Sequence, residues 1–506
     1  MESQNINQED EKIIENVELS VWEALIPVIA LIAMLAYNVF VYGDSALGGT
    51  NQFILILGGA VAAIVGFRNK VSYKAMVEEV AQNLKSTTGA ILILLMVGAL
   101  AGTWLVSGII PTMIYYGLEI LNPTIFLAAC VIICAVISVA TGSSWTTSAT
   151  VGIALIGIAG ALDISAGMTA GAVLSGAYFG DKLSPLSDTT NLAPAMAGTD
   201  LFTHIKYMTY TTVPTIIITL IIFIILGFTI DSSGVADVTA YQDTIDATFN
   251  TSPWLFLVPL AVIVMIIKKV SPLIALLSGT ILAGVFALIF QQDIVLMVSG
   301  METWNFTAAY KGIMNAITVN TAVPPVAENA EIASKLAGLF EGKGMESMLG
   351  TIWLIICAMV FGGVMDAIGA LSRISRSLLE LFDSTFGLFA STVVSCLAIN
   401  LTASDQYLAL VIPGKMYEKA FKEKGLAPEN LSRTLEDSGT VTSVLIPWNT
   451  CGAYHSATLG VSVFDYVGYA FFSYLSPFMT LLFAAFNIKI RQLVKKEPTL
   501  DMIGED

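Results

Sequence analysis

Apolar stretches long enough to cross a lipid bilayer recur along almost the whole chain. Two examples are PTIFLAACVIICAVISVA, which begins at Pro123, and VPTIIITLIIFIILGFTI, which begins at Val213. A helix needs about 20 mostly apolar residues to span about 30 Å of hydrocarbon, and both stretches approach that length. Only 12% of the 506 residues are charged, whereas about 25% are charged in ordinary soluble domains. The sequence therefore predicts an all-α, polytopic membrane protein.

The apolar stretches fall into two series that resemble each other. The first covers residues 22–41, 51–67, 89–109, 123–162, 166–201 and 208–230, and the second covers 254–267, 272–290, 348–370, 385–412, 435–460 and 466–488. Residues of like kind recur between the series at a constant offset of 261 positions, as in the pairs Gly89 and Gly350, Gly102 and Gly363, Gly108 and Gly369, Thr141 and Thr402, Ser143 and Ser404, Leu174 and Leu435, and Thr189 and Thr450. This constant offset predicts an internal repeat.

Loop charge predicts that the two repeats are inserted in opposite directions. Short cytoplasmic loops are enriched in Lys and Arg, and the loop after the second stretch contains Arg68, Lys70, Lys74 and Lys85. The equivalent segment of the second series, residues 291–347, has more acidic than basic residues and is expected outside the cell. Such an inversion requires an odd number of crossings in each repeat.

The fourth stretch of each series is expected to form a re-entrant hairpin, which leaves about five crossings per repeat. Polar tips interrupt these stretches at residues 141–144 (TGSS) and 402–405 (TASD), and polar backbone at membrane depth is tolerated only where protein buries it or a cavity lies beside it. The predicted organisation is a cytoplasmic acidic tail (1–20), a first inverted repeat (21–230), an extracytoplasmic acidic linker (231–252), a second inverted repeat (253–488) and a cytoplasmic tail (489–506).

The segment GDKLSPLSDTTN, residues 180–191, breaks the fifth stretch of the first series. Pro185 removes a backbone donor and leaves carbonyl groups free. A carboxylate within a membrane span is costly unless it is paired or binds an ion, so Asp181 and Asp188 are candidate binding residues. Oxygen ligands suit a hard cation, and the further side-chain oxygens of the segment include those of Ser187, Thr189 and Asn191.

The second series has a corresponding break, IPWNTCG, which begins at Ile446. Asn449 occupies the position of Asp188, so one half offers a charge where the other offers an amide. With the polar tips, the two breaks are expected to converge at mid-membrane on one ion- or proton-binding site, whose predicted residues are Asp188, Asp181, Asp405, Ser187, Thr189, Asn191, Asn449, Thr450, Ser143 and Ser404.

Several of these residues also have a structural interpretation. Asp188 can cap a half-helix, and the adjacent Lys182 can neutralise Asp181. His204 falls in an inferred cytoplasmic loop, and a polar surface position is favoured for His455. Every arginine, including Arg433, falls in an inferred loop, which leaves Lys182 as the only cation near the breaks.

The stretch GDKLSPLSDTTNLA, residues 180–193, closely resembles the signature of the NhaC family of sodium/proton antiporters. The resemblance covers about residues 22–488 and implies a secondary antiporter of the ion transporter superfamily in the cytoplasmic membrane of a bacterium or archaeon. Loop charge and the odd number of crossings in each repeat predict that both chain ends lie inside. Na⁺ is then expected at Asp188, Asn191 and Thr189. Because one carboxylate holds either Na⁺ or a proton, competition at Asp188 would produce exchange.

The family also contains members that resemble sodium-linked exchangers of malate and lactate. Exchange of small organic acids or amino acids is therefore the alternative function. A carboxylate substrate normally needs a cationic partner or helix amino ends, and the scarcity of cations near the breaks favours a bare cation. A channel is a further alternative, but it would not need carboxylates that trade an ion for a proton.

Other function classes find little support in the sequence. The spans contain no catalytic or phosphate-binding motif, so neither an enzyme activity nor a cofactor is predicted. The net charge of −16 argues against a nucleic acid partner. The expected partners are Na⁺, H⁺ and the lipid bilayer, and a homodimer is left open.

Overall fold

The computed structural model describes residues 19–42, 49–120, 122–230, 238–327, 330–380 and 384–493. Most of the predicted terminal tails, residues 1–18 and 494–506, lies outside the described residues. Helices dominate the described chain, and one two-stranded antiparallel sheet accompanies them.

The first half consists of helices α1 to α11. Their bounds are α1 Val21–Tyr42, α2 Thr50–Arg68, α3 Tyr73–Val106, α4 Ile109–Ile120, α5 Pro123–Thr141, α6 Ser144–Thr147, α7 Ile153–Ala161, α8 Ala166–Leu183, α9 Asp188–Ala197, α10 Leu201–Thr229 and α11 Val238–Thr248. A π-helical turn, Ser148–Gly152, joins α6 to α7.

The second half consists of helices α12 to α24 and strands β1 and β2. Their bounds are α12 Leu257–Ile267, α13 Pro272–Phe290, α14 Gln292–Ser299, α15 Phe306–Thr318, β1 Thr321–Ala322, α16 Ala330–Leu339, β2 Glu341–Gly342, α17 Leu349–Ala367, α18 Ala370–Glu380, α19 Thr385–Thr402, α20 Leu408–Glu423, α21 Pro428–Leu435, α22 Thr450–Leu459, α23 Val463–Tyr466 and α24 Phe471–Ala485. Shorter helical pieces are the 3₁₀ turns Pro253–Phe256, Met345–Met348, Ser443–Leu445 and Val467–Tyr469, and the π-helical turn Glu436–Thr440.

Nine helical segments of the described chain are long and apolar enough to cross a bilayer, and the number rises to eleven if each of two bent pairs is one span. The prediction of a polytopic α-helical membrane protein is therefore confirmed. The opposite insertion of the two halves and the re-entrant character of the hairpins stay predictions.

Both fourth stretches break at their polar tips. In the first half α5 ends at Thr141, and Gly142 follows with a φ of 69°, a left-handed conformation that favours glycine. In the second half α19 ends at Thr402, and Ser404 has a φ of 60°. Because serine reaches this region at an energetic cost, the surrounding structure must hold the second tip in place.

Small residues allow α5 and α8 to pack closely, and this contact positions the first break. A Cβ atom at Gly176 would lie 2.2 Å from the carbonyl oxygen of Val131, and one at Gly180 would lie 2.5 Å from that of Ala135. The Ser138 hydroxyl also donates to the Ala177 carbonyl oxygen at 2.6 Å. Close approach of this kind is typical of helix pairs in membranes.

The predicted linker 231–252 is partly an ordered helix. Residues 231–237 lie outside the described part of the chain, but α11 follows them and buries Tyr241 and Ile245. Gln242 donates to the Tyr115 carbonyl oxygen at 3.2 Å, which joins α11 to α4. The segment 291–347 likewise carries α14, α15, α16 and the small sheet. The helices of these segments bury apolar residues such as Val295, Ala308 and Leu336 against the rest of the protein.

Candidate functional site

A cavity of about 580 Å³ lies where the first break meets the two polar tips. Seven of the predicted site residues line it, namely Asp181, Asp188, Asp405, Ser187, Thr189, Thr450 and Ser143. The other three, Asn191, Asn449 and Ser404, do not line it. The wall is completed by residues near the middle of α3 and by the loop between α12 and α13, which includes Lys269.

The first break is the irregular segment Ser184–Ser187 between α8 and α9. The Ser187 hydroxyl accepts from the backbone N–H of Thr190 at 3.3 Å and thereby caps α9. The Thr190 hydroxyl lies 3.1 Å from the carbonyl oxygens of both Asp181 and Lys182. The backbone groups that the broken helix leaves open are therefore partly satisfied by side chains of the break itself.

Asn191 stabilises this break from outside the cavity. Its side-chain amide donates to the carbonyl oxygens of Pro185 at 3.0 Å and Ser187 at 2.7 Å. Of the expected Na⁺ ligands, only Asp188 and Thr189 face the cavity. Coordination of Na⁺ by these residues stays a prediction.

The two aspartates of the first break differ in their surroundings. Asp181 is 7% exposed, and its Oδ2 atom accepts from the backbone N–H of Ser144 at 3.2 Å and from the Ser144 hydroxyl at 2.7 Å. It therefore ties α8 to the first tip. Asp188, the first residue of α9, is exposed to the cavity. Asp181 and Asp188 are close enough to interact electrostatically.

The second tip is organised by Asp405. Its Oδ1 atom accepts from the backbone N–H groups of Tyr407 at 2.8 Å and Leu408 at 3.0 Å, so the side chain caps α20 while it lines the cavity. The carbonyl oxygen of Ser404 accepts from the backbone N–H of Thr450 at 2.9 Å. This hydrogen bond joins the second tip to the start of α22.

Asn449, the last residue of the second break, is fully buried, and it is held by another amide and by backbone groups. Asn449 donates to the carbonyl oxygen of Asn400 at 3.0 Å and to its side-chain oxygen at 3.2 Å, and accepts from the backbone N–H of Cys451 at 3.0 Å. Asn400 in turn donates to the Gly439 carbonyl oxygen at 2.6 Å. These bonds occupy the amide of Asn449, which has no contact with the cavity.

Behind the cavity lies a buried charged cluster, Lys182, Glu436 and Asp437, two members of which the sequence analysis missed. The ammonium group of Lys182 pairs with Asp437, and both side chains are completely buried. Asp437 also accepts from the hydroxyls of Thr211 at 2.9 Å and Ser476 at 3.1 Å. Lys182 therefore does not neutralise Asp181 by a direct ion pair, because its side chain points the other way, towards α10 and α24.

Three further assignments of the sequence analysis are wrong. His204 is buried in α10, where its Nδ1 lies 2.8 Å from the Ser432 hydroxyl, and His455 is completely buried in α22. Arg433 is buried in α21, with its guanidinium 4.6 Å from the centre of the Tyr207 ring. His204 and Arg433 lie just outside predicted apolar stretches, whereas His455 lies inside one, and in all three cases burial depends on neighbouring helices that the apolar stretches do not reveal.

One sequence signal could have identified Glu436 and Asp437. Both lie within the predicted fifth stretch of the second series, and an ionisable residue inside a span is a functional candidate by default. The described residues contain no group of three His, Cys, Asp or Glu side chains that could hold a metal ion. A cation in the cavity would therefore need hydroxyl or carbonyl oxygens in addition to carboxylates.

Comparisons with known proteins find antiporters that are named for different substrates. The family model described as "Na+/H+ antiporter family" matches residues 176–488. The chain is 37% identical to the Na(+)/H(+) antiporter NhaC of Alkalihalophilus pseudofirmus over 85% of this chain and 89% of that protein. It is 35% identical to the Malate-2H(+)/Na(+)-lactate antiporter of Bacillus subtilis (87% and 88%) and 32% identical to the Arginine/ornithine antiporter ArcD of Halobacterium salinarum (91% and 90%).

Proposed function

Because the chain belongs to the Na⁺/H⁺ antiporter family, we propose that it exchanges Na⁺ for H⁺ across the cytoplasmic membrane by alternating access. The observation that carries this proposal is the cavity that Asp181, Asp188 and Asp405 line together. Carboxylate and hydroxyl oxygens are ligands for hard cations, and a carboxylate binds a cation only after it has lost its proton. Such a cavity couples Na⁺ binding to proton release.

Na⁺ is proposed to bind between the first break and the first tip. Asp188 is exposed there, and the hydroxyls of Ser143 and Ser187 line the same wall. Asp181 lies deeper, held by Ser144. Asn191 contributes indirectly, because its hydrogen bonds to two carbonyl oxygens fix the shape of the break.

Two cavities at opposite ends of one short helix support alternating access. Thr450 at the start of α22 lines the first cavity, and Ser456 and Gly460 near its end line a second one of about 760 Å³. Tyr454 lies between these residues along α22, and its ring stacks on Trp145, which lines the first cavity, with ring centres 4.0 Å apart. We propose that this stack closes a route between the cavities, so that its opening would expose the site to the other side.

In this proposal the two halves are inserted in opposite directions, the first cavity opens to the cytoplasmic side, and both chain ends lie inside. Labelling of single cysteines with a membrane-impermeant maleimide tests this arrangement, and the five native cysteines are buried. Thr303→Cys should react in intact cells, whereas Asn69→Cys and Lys422→Cys should react only after permeabilisation. Reaction of Thr303 and Asn69 from the same side would rule out the opposite insertion of the two halves.

Exchange of a small organic acid or amino acid is a second candidate that one observation favours. The cavity is larger than a bare ion needs, and Lys269 supplies a cation on its wall. A carboxylate substrate normally binds to a cationic side chain or to helix amino ends, and Lys269 is such a side chain. Malate, lactate and arginine therefore belong in the transport assay beside Na⁺ alone.

Transport in proteoliposomes tests the proposal. An inward Na⁺ gradient should drive protons out and raise the internal pH, which a trapped pH dye reports, and choline in place of Na⁺ should have no effect. The Na⁺ concentration for half-maximal response should fall as the pH rises, since fewer protons then occupy the carboxylates. A response that requires malate, lactate or arginine would favour the second candidate, and no response to any of these gradients would refute both.

A further inference from the structure

Glu436 is the first residue of the π-helical turn Glu436–Thr440, directly after α21. Its side chain is 0% exposed and does not line the cavity. Turns of this kind are rare and occur frequently at functional sites. The burial of an ionisable side chain at such a turn calls for an explanation other than packing, because an ionised carboxylate without partners is very costly in a low-dielectric interior.

Only one of the two carboxyl oxygens of Glu436 takes part in a hydrogen bond among the described residues. Its Oε1 atom accepts from the Thr189 hydroxyl at 3.0 Å, whereas Oε2 has no hydrogen-bond partner among the described residues. A neutral carboxylic acid carries one proton and tolerates this environment better than a carboxylate with bare oxygens. The site is too enclosed for a hydrated ion, but it accommodates a proton.

Thr189 connects this buried carboxyl group to the cavity. It lines the cavity, its hydroxyl donates to Glu436, and the same hydroxyl lies 3.1 Å from the Ser187 hydroxyl. A cation that draws the Thr189 oxygen into its coordination shell alters the hydrogen bond to Glu436. The state of the cavity and the state of Glu436 are therefore linked through one hydroxyl group.

The charged groups around Glu436 include one cation that is already engaged. Asp181 and Lys182 of α8 are close enough to interact with it electrostatically, but Lys182 pairs with Asp437. Of the helices packed against the turn, α9 contributes Asp188 and α21 contributes Arg433, whereas α19 and α24 have no charged residue. Helix α20 contacts Gly439 of the turn through Ala409 and Leu410, and its charged residues lie farther along the helix.

We propose that Glu436 carries the transported proton at a site separate from the cavity carboxylates that bind Na⁺. This proposal rests on the proposed Na⁺/H⁺ exchange and moves the proton from Asp188 to Glu436. When Na⁺ enters the cavity and coordinates the Thr189 oxygen, the polarised hydroxyl donates more strongly to Glu436 and stabilises its carboxylate, so Glu436 releases its proton to the solvent on that side. When Na⁺ leaves, Glu436 takes up a proton again. One H⁺ is therefore exchanged for one Na⁺, and the net charge of the site stays the same.

Glu436→Gln separates coupling from Na⁺ transport, because the amide mimics the protonated acid permanently. In proteoliposomes the variant should still exchange external ²²Na⁺ for internal Na⁺. A pH gradient should no longer drive uphill ²²Na⁺ accumulation, which should fall to the level of protein-free liposomes. Glu429→Gln is the matched control. It removes a carboxylate from α21, the helix that precedes the turn, where Glu429 pairs with Arg491 at 2.8 Å, and it should leave accumulation unchanged.

Two further variants test the link and guard against misfolding. Thr189→Val should weaken the pH dependence of accumulation, and Thr189→Ser, which restores a hydroxyl, should recover it. If Glu436→Gln does not reach the membrane, Glu436→Asp is the test instead. Its shorter side chain should shift the pH profile of ²²Na⁺ accumulation. Accumulation in Glu436→Gln within twofold of the native protein, or an unchanged profile in Glu436→Asp, would overturn the proposal. Absence of exchange in the native protein would instead refute the proposed function.

Discussion

The two broken helices occupy corresponding positions in the two halves, but they use their polar residues in opposite ways. At the first break, Asp188 is exposed to a cavity of about 580 Å³. At the second, Asn449 is 0% exposed and its amide is occupied by Asn400 and Cys451. The first break therefore presents carboxylate oxygens to the cavity, while the second uses its amide to hold neighbouring segments together.

The difference follows from the chemistry of the two side chains. An amide can satisfy its hydrogen bonds with backbone groups inside the protein, as Asn449 does, and can then be buried at little cost. A carboxylate only accepts hydrogen bonds and carries a charge, so it stays hydrated, pairs with a cation or takes up a proton. This asymmetry is the reason to propose a binding role for the first break and a supporting role for the second.

The largest effect is expected from Asp188→Asn, which makes the first break resemble the second. Loss of the exposed charge should abolish both the Na⁺-driven pH change and ²²Na⁺ exchange, because the ion loses its principal ligand. Both are measured in the same proteoliposomes. Asp200→Asn is a suitable control, since Asp200 only caps α10 through Thr203 at 3.0 Å. Native-like flux in Asp188→Asn would return Asp188 to a capping role.

Lys182→Met should destabilise the first break strongly, because it leaves Asp437 buried without its cation. Removing one partner of a buried pair typically costs about 3–5 kcal/mol. Thermal unfolding of the purified protein in detergent measures the effect, and the double variant Lys182→Met with Asp437→Leu should recover much of the loss. A single variant as stable as the native protein would show that the pair contributes nothing.

Asn449→Ala should reduce stability at the second break without a specific effect on Na⁺. The substitution leaves the buried side-chain oxygen of Asn400 without its donor, and an unsatisfied buried group costs about 1–3 kcal/mol. The unfolding temperature should fall, while the Na⁺ concentration for half-maximal flux stays constant in the protein that remains folded. A large change in that concentration would mean that Asn449 takes part in Na⁺ binding.

The smallest effect is expected from Asp405→Asn at the second tip. Asparagine keeps an oxygen that can cap α20, so the substitution removes the charge but preserves the cap. We expect a severalfold weaker apparent Na⁺ affinity with unchanged stability, as measured by the pH change at graded Na⁺ concentrations. Asp405→Ala, which also removes the cap, should lose about 1 kcal/mol of stability in addition. Unchanged affinity in Asp405→Asn would leave Asp405 with a structural role alone.

The sequence alone determined the class of fold and the places where it is interrupted. Length and hydropathy of the apolar stretches are local properties, and so are the breaks that Pro185 and Pro447 introduce. The stretch 180–193 identified the family because its pattern of carboxylate, hydroxyl and proline residues is specific and contiguous. These features need no knowledge of what lies beside them.

Only the tertiary structure decided which polar residues meet. Seven of ten predicted residues line one cavity, whereas Asn191, Asn449 and Ser404 lie outside it. Glu436 contacts Thr189 across 247 positions of sequence, and Lys182 selects Asp437 across 255 positions instead of its neighbour Asp181. Partner choice of this kind depends on the direction of each side chain and on helix packing, because hydrogen bonds and buried ion pairs form over a few ångströms and are indifferent to distance along the chain.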